Sequence, residues 1–386
     1  MRAGIALTAA IFITAPSIYA QDSGEMPEEV DPSEALYAPR TDWSDDEGKT
    51  LNLSAFVFND VNRNGTWDAG DRTMPGVAVA LGRDEVGLGI KRSNANGFVN
   101  FPSSISVEDA MIDLPGDYVY QLVPPPGWQV TTGNAAQTVT AVLVPGSASG
   151  IGFVDMPRPM GLARELFIQG AFAGDEPAKL TLTDEEGTEL GGMISPGDTF
   201  TFKVEPGQYQ VSDGTVTRDV VVTHNPVDIG HLSSRDPANG TANTATFDDL
   251  IETGLLKVPN GYQGVDWFNL NAMRRDFTSG SIGYVNGATS GVFIAYTSSG
   301  HPAEITSDTP FGIKSMQITA SWGRAEGETV VVEMWRGDEK LVSDEMVVTS
   351  LGPVEYAPDI SGITRMRIHS VHYWQLVLDD VVITHP

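Results

Sequence analysis

The run Asp60-Val61-Asn62-Arg63-Asn64-Gly65-Thr66-Trp67-Asp68-Ala69-Gly70-Asp71 sets oxygen-bearing side chains at the intervals a hard cation uses. Calcium takes about six to eight oxygens in a flexible shell, and a twelve-residue loop supplies them from its first, third, fifth, seventh, ninth and twelfth positions. Asp60, Asn62 and Asn64 fall on the first three of these, Thr66 offers its carbonyl at the seventh, Asp68 stands at the ninth and Asp71 closes the loop. Gly65 takes the sixth, where the chain must turn sharply. Asp71 stands where a longer Glu is usual, so two-oxygen ligation is harder and selection of calcium over magnesium weaker. Asn, Asp and Gly also crowd solvated turns. Agreement of five specified positions at fixed spacing favours Ca2+.

Catalytic chemistry has no comparable signature. The chain lacks a G-x-S-x-G elbow, an H-E-x-x-H helix, a phosphate-cradling glycine loop and any cysteine. His369 and His372 would need a helix to align, whereas residues 363 to 371 read as a strand, where positions three apart face opposite sides. No catalytic residue is assigned, although two of the 51 carboxylates could still meet in a fold as general acid and base.

The elements around the loop are strands. Leu51 to Phe58 enters with period-two alternation and Gly76-Val77-Ala78-Val79-Ala80-Leu81 leaves with it. Asn96-Gly97-Phe98-Val99-Asn100-Phe101, Leu114-Pro115-Gly116-Asp117-Tyr118 and Pro125-Pro126-Gly127-Trp128 follow. This succession resembles the B domain of serine-aspartate-repeat adhesins, within the Cna-B group, over about residues 51–157. The resemblance implies a calcium-stiffened β-sandwich that acts as a spacer in surface proteins. The chain departs from the family at Phe98-Val99-Asn100-Phe101, where Tyr-x-Phe is usual, and in lacking a serine-aspartate repeat.

Two further domains are expected. Pro157-Arg158-Pro159 closes the first, and residues 160–232 hold a second strand set in which Pro206-Gly207-Gln208-Tyr209 repeats the earlier Pro-Gly-x-Tyr turn without a calcium loop. Residues 233–243 read as a linker. Residues 244–386 look like the jelly-roll modules of secreted bacterial proteins, similar to galactose-binding-like and carbohydrate-binding modules. Pairing of the terminal strands in such a roll would bring Asp248 and Asp249 near Asp379 and Asp380; a second cation could bridge them, or half could simply face water. Sugar rings pack their C–H faces on aromatic rings, so Trp267 and Tyr284, in Gly- and Asn-rich loop-like stretches, are the expected stacking groups, with Asn286 or Asp266 bonding hydroxyls. Most other aromatics are expected in cores. The fold class is therefore all-β: tandem β-sandwich domains, prealbumin- or Ig-like, followed by a C-terminal jelly-roll.

Composition and the leader set the location. Met1-Arg2, an apolar stretch from Ala3 to Ala15 and the small residue Ala20 read as a signal peptide, residues 1–20; residues 21–50 read as an acidic disordered linker. No later segment is apolar over a membrane-spanning length, and no wall-sorting or lipid-anchor signal is evident, so a cleaved, soluble product is expected, secreted or associated with the cell surface. A net charge of −28 repels nucleic acid and anionic membranes. With no cysteine, bound ions and large β cores must supply stiffness. A glycan on the sequon at Asn64 would occupy a proposed ligand, which points to a bacterial source. The favoured reading is a calcium-binding adhesion or binding protein whose last domain recognises an extracellular glycan or surface protein. A structural matrix or surface-layer component without ligand is the first alternative, and a glycan-active hydrolase the second.

Overall fold

The computed structural model describes residues 51–386 apart from 107, 148 and 279–281; the expected leader and acidic linker lie outside the described residues. About 55% of the residues are in strands and 4% in helices, so the chain is an all-β protein built of sandwiched sheets. The one α-helix among the described residues, Ile282–Asn286, has five residues.

In the first sandwich, Leu51–Asn59 pairs antiparallel with Phe98–Ser103 and Arg72–Thr73, and parallel with Met160–Arg164. The facing sheet runs Val86–Arg92, Ala78–Arg83, Gly116–Val123, Ala136–Leu143, Ile151–Phe153. Alternation puts Leu53, Ala55 and Val57 of one sheet against Val79, Leu81, Tyr118 and Tyr120 of the other, all buried. The sandwich does not end at 157. Met160–Arg164 is buried at every position and completes its sheet, and such a short unalternating run gives no strand periodicity.

The second sandwich sets Leu166–Phe172, Thr199–Val204 and Val227–Leu232 against Ala178–Asp184, Glu189–Ile194, Gly207–Ser212 and Thr217–Val222, around Leu166, Ile168, Leu180, Val211 and Val220. Its first sheet does not stop at a linker. Val227–Leu232 pairs parallel with Val354–Tyr356, which pairs with Ala303–Ala320, so one sheet of 14 strands runs from the second sandwich through the last domain. The expected linker 233–243 is likewise structured at its end, where Thr241–Ala245 pairs with the final strand Leu376–His385. That pairing of terminal strands matches the expectation for the last domain. Its core gathers Phe247, Trp267, Ile305, Ile313, Ile318, Val332, Ile368 and Leu378.

A buried polar cluster locks the second sandwich to the last domain. The Asp344 carboxylate, on Glu339–Val348, accepts hydrogen bonds from Tyr356 Oη (2.6 Å) and the His231 amide (3.1 Å). It also meets His231 Nδ1 at 2.6 Å and the buried Arg235 guanidinium at 3.3 Å. Gly230 has φ +64°, and a Cβ there would fall on the Asp344 carboxylate.

Candidate calcium loop and recognition face

The loop 60–71 folds its polar side chains toward one another. Asp60, buried at the end of its strand, accepts from the Asn64 amide (3.1 Å) on Oδ1 and the Gly65 amide (2.7 Å) on Oδ2. Asn62 and Asn64 accept through their amide oxygens from the backbone two residues on, at 3.1 and 2.7 Å. Both donate through Nδ2 to Asp68, at 2.9 and 2.6 Å. Asp71 accepts from the amides of Val61 and Asp68, both at 3.0 Å. Gly65 turns with φ +76°, and a Cβ there would stand 2.8 Å from the Thr131 carbonyl, so only glycine fits.

This donor set suits a hard cation: three carboxylates and two amide oxygens, held on one short loop with their backbone hydrogen bonds already made. Among the described residues no cluster of three or more His, Asp or Glu side chains is arranged to hold a metal. The Asn amides would therefore be part of any shell. Sequence reasoning missed the loop's second role. Arg63, at the fourth position, reaches Glu205 of the second sandwich at 3.0 Å and the Arg164 carbonyl at 2.6 Å, so the loop braces the junction between the two sandwiches.

Each of the four C-terminal carboxylates has protein donors, and among the described residues no group of three or more of them is arranged to hold a metal. Asp248 accepts from the Val292 and Phe293 amides at 2.8 and 3.1 Å, while Asp249 accepts from Tyr262 Oη at 2.7 Å. Asp379 accepts from the Thr289 and Ser290 amides, and Asp380 from their hydroxyls. Asp248, Asp379 and Asp380 all bond the one segment 289–293, while Asp249 turns to Tyr262. Burial, with Asp380 beside it, pushes Asp379 up to about 8, partly offset by those amides. Arg72 lies close by and donates to the carbonyls of Ala288 and Thr289.

The expected stacking aromatics are core. Trp267 is 1% exposed and donates through Nε1 to the Tyr262 carbonyl at 2.9 Å. Tyr284 is 2% exposed and donates to Gln375 at 2.7 Å. Asn286 donates to the Ser350 carbonyl. The loop-like context misled because Trp267 lies on a three-residue strand, Asp266–Phe268, whose neighbours face the other way.

Those neighbours define the open face. Asp266 is exposed and Phe268 is 62% exposed. Register puts Asp266 beside Thr306 and Phe268 beside Glu304, then Thr306 beside Arg365 and Glu304 beside Arg367. Arg365 and Arg367 stand beside Trp335 and Glu333 on Glu328–Arg336. Directly paired residues share a face, so one four-strand surface carries the exposed Phe268 ring at one end and the buried Trp335 ring at the other, with carboxylates and guanidiniums between. Arg367 bonds Glu304 at 2.7 Å. The Arg365 guanidinium lies 4.0 Å from the centroid of the Trp335 ring, with Lys340 and Arg367 each at 5.4 Å.

A second concavity, of about 720 Å³, lies between the first sandwich and the last domain, lined mainly by apolar groups including Pro75, Val77, Pro124, Ile282 and Leu351.

No family model and no curated protein matches the chain. Solved structures to which the chain is similar include the Bacillus anthracis TIE protein (8% identity over 83% of this chain and 44% of that one, TM-score 0.22). A xylan-binding domain from Paenibacillus barcinonensis gives 13% identity over 39% and 97%, TM-score 0.19. The major pilin of Streptococcus pyogenes gives 8% over 84% and 97%, TM-score 0.21. The chain spans under half the length of the first of these.

Proposed function

We propose that the chain is an exported, calcium-braced binding protein in which the first two sandwiches hold the last domain outward and the Phe268–Trp335 face of that domain takes a glycan. The carrying observation is Phe268, a large ring left 62% exposed on a face otherwise made of hydrogen-bonding groups. A flat ring beside Asp266 and Glu304 offers a sugar both a C–H stacking surface and hydroxyl acceptors. Calcium at Asp60, Asn62, Asn64, Asp68, Asp71 and the Thr66 carbonyl would stiffen the junction that Arg63 braces.

Full-length protein on a glycan array in calcium tests the reading. Phe268→Ala should weaken the best glycan by about tenfold, the loss of roughly 1 kcal/mol or more expected of a central contact, at unchanged melting temperature. Trp267→Ala should instead unfold the last domain. Absence of binding to every glycan would sink the proposal in favour of a purely structural role. Export has its own check: mass spectrometry of the native protein should find Gln21 at the amino terminus, and a retained Met1-Arg2 peptide would overturn it.

A further inference from the structure

Arg365 has no carboxylate partner. Among the described residues its guanidinium makes no hydrogen bond or ion pair, and its Nε is buried without a partner. This is unusual on two counts. The chain carries 51 acidic against 23 basic residues, so carboxylates are abundant. On the same face Arg367 is paired with Glu304, and Lys340 with Glu333. Arg365 instead lies over the Trp335 ring, its Cζ 4.0 Å from the centroid, with Lys340 and Arg367 each 5.4 Å from the same centroid. A guanidinium resting on an aromatic ring without a carboxylate partner can match a carboxylate or sulfate with two parallel N–H···O bonds, and contact with the ring lowers the entropy lost on binding.

The rest of the face narrows the class. Phe268 and Arg365 are two strands and two residues apart, so their backbone positions are separated by roughly 12 Å at about 4.8 Å per strand and 3.4 Å per residue. That is the length of a short run of sugar rings. An acidic peptide would meet Asp266, Glu304 and Glu333 with like charge and bring them few donors. A polysaccharide with one acid group per second ring brings hydroxyls to those carboxylates and a single anion to Arg365. We infer that the face binds an anionic polysaccharide, with Phe268 stacking a ring and Arg365 taking the carboxylate or sulfate. This rests on the glycan-binding reading above and adds the charge of the ligand and the residue that selects it.

Isothermal calorimetry on the full chain in calcium and near-physiological salt should compare hyaluronan fragments and chondroitin sulfate, which separate carboxylate from sulfate, with neutral xylan and dextran fragments and with polyglutamate. One or both acidic glycans should bind at least tenfold more tightly than the neutral ones. Arg365→Ala should remove that margin, and Arg365→Lys, which keeps charge but not the fork, should restore only part of it. Neutral fragments should be indifferent to both changes, and melting temperature should report an intact fold. Equal binding of neutral and acidic glycans, unchanged by Arg365→Ala, would overturn the inference and leave glycan binding standing. Equal binding of polyglutamate would overturn it in favour of simple charge attraction. No binding to any glycan would remove both readings.

Discussion

Replacing Asp344 with alanine is expected to lower the melting temperature of the C-terminal half by about 6–20 °C, from a loss of about 3–5 kcal/mol spread over a cooperative unit of this size. The carboxylate is 1% exposed and the Arg235 side chain it faces is 4% exposed. Removing the anion strands a buried guanidinium and the Tyr356 hydroxyl, and the desolvation already incurred is no longer offset. Because Val227–Leu232 reaches the last domain through this cluster and Val354–Tyr356, the second sandwich should also melt separately from it. Calorimetry would show one endotherm splitting into two. A single unshifted transition would mean that the strand pairing alone couples the domains.

The same cluster gives the junction a pH dependence whose sign can be worked out. Burial pushes Asp228 up to about 6, against the Gly230 amide and Gln169, which hold it down. A carboxyl whose folded value is raised contributes stability below its unfolded value near 3.8, and that stability is lost as pH rises through 6. His231 is raised by its hydrogen bond to Asp344, despite burial and Arg235, so its contribution is also present on the acid side and lost as pH rises through its folded value. Asp344 resists desolvation through His231, Arg235 and Tyr356 and lies below the usual range, so its contribution is lost only in stronger acid. Arg218, nearby, is lowered by burial and by the Arg235 charge beside it. Junction stability should therefore be greater near pH 5 than near pH 8, and Asp228→Asn should flatten that slope.

Much of the fold was legible because its strands expose one face and bury the other. Leu53 and Ala55 alternate with Asn52 and Ser54, and Val57 continues the period of two, which marks their strand. Met160–Arg164, buried throughout, carries no such signal, and the Pro-rich stretch before it was read as an end. Val354–Tyr356 is three residues long, and nothing in so short a segment tells that it joins two domains through one sheet. The gathering of oxygen-bearing side chains in the 60–71 loop is legible because it is local, with every donor within twelve residues. The Phe268–Trp335 face is not, since Asp266, Arg365 and Trp335 meet only through strand register. Asp266 and Phe268 lie on the open face while Trp267 between them is core, because a shift of one residue on a strand moves a side chain to the opposite face.

Calcium removal should have the second large effect. If the loop binds near 10 μM, millimolar calcium stabilises the folded form by about 2.7 kcal/mol. The first sandwich, of roughly a hundred residues, should then melt about 10 °C or more lower in chelator than in calcium. Two substitutions separate ion binding from loop architecture. Asp60→Ala removes a ligand and also the acceptor for the Asn64 and Gly65 amides, so it should lower the melting temperature in chelator as well as abolish the calcium response. Asp68→Asn keeps the shape of an exposed side chain while removing one of three neighbouring negative charges. Without calcium it should be neutral or slightly stabilising, because like charges held close repel; with calcium it should lose most of the response. Arg63→Ala should leave affinity nearly unchanged but weaken the coupling of the first sandwich to the second, since only its contacts to Glu205 and the Arg164 carbonyl are lost. Equal melting in chelator and calcium, or an Asp68→Asn protein that responds like the parent, would show the loop to be a solvated turn whose amides and carboxylates satisfy one another without an ion.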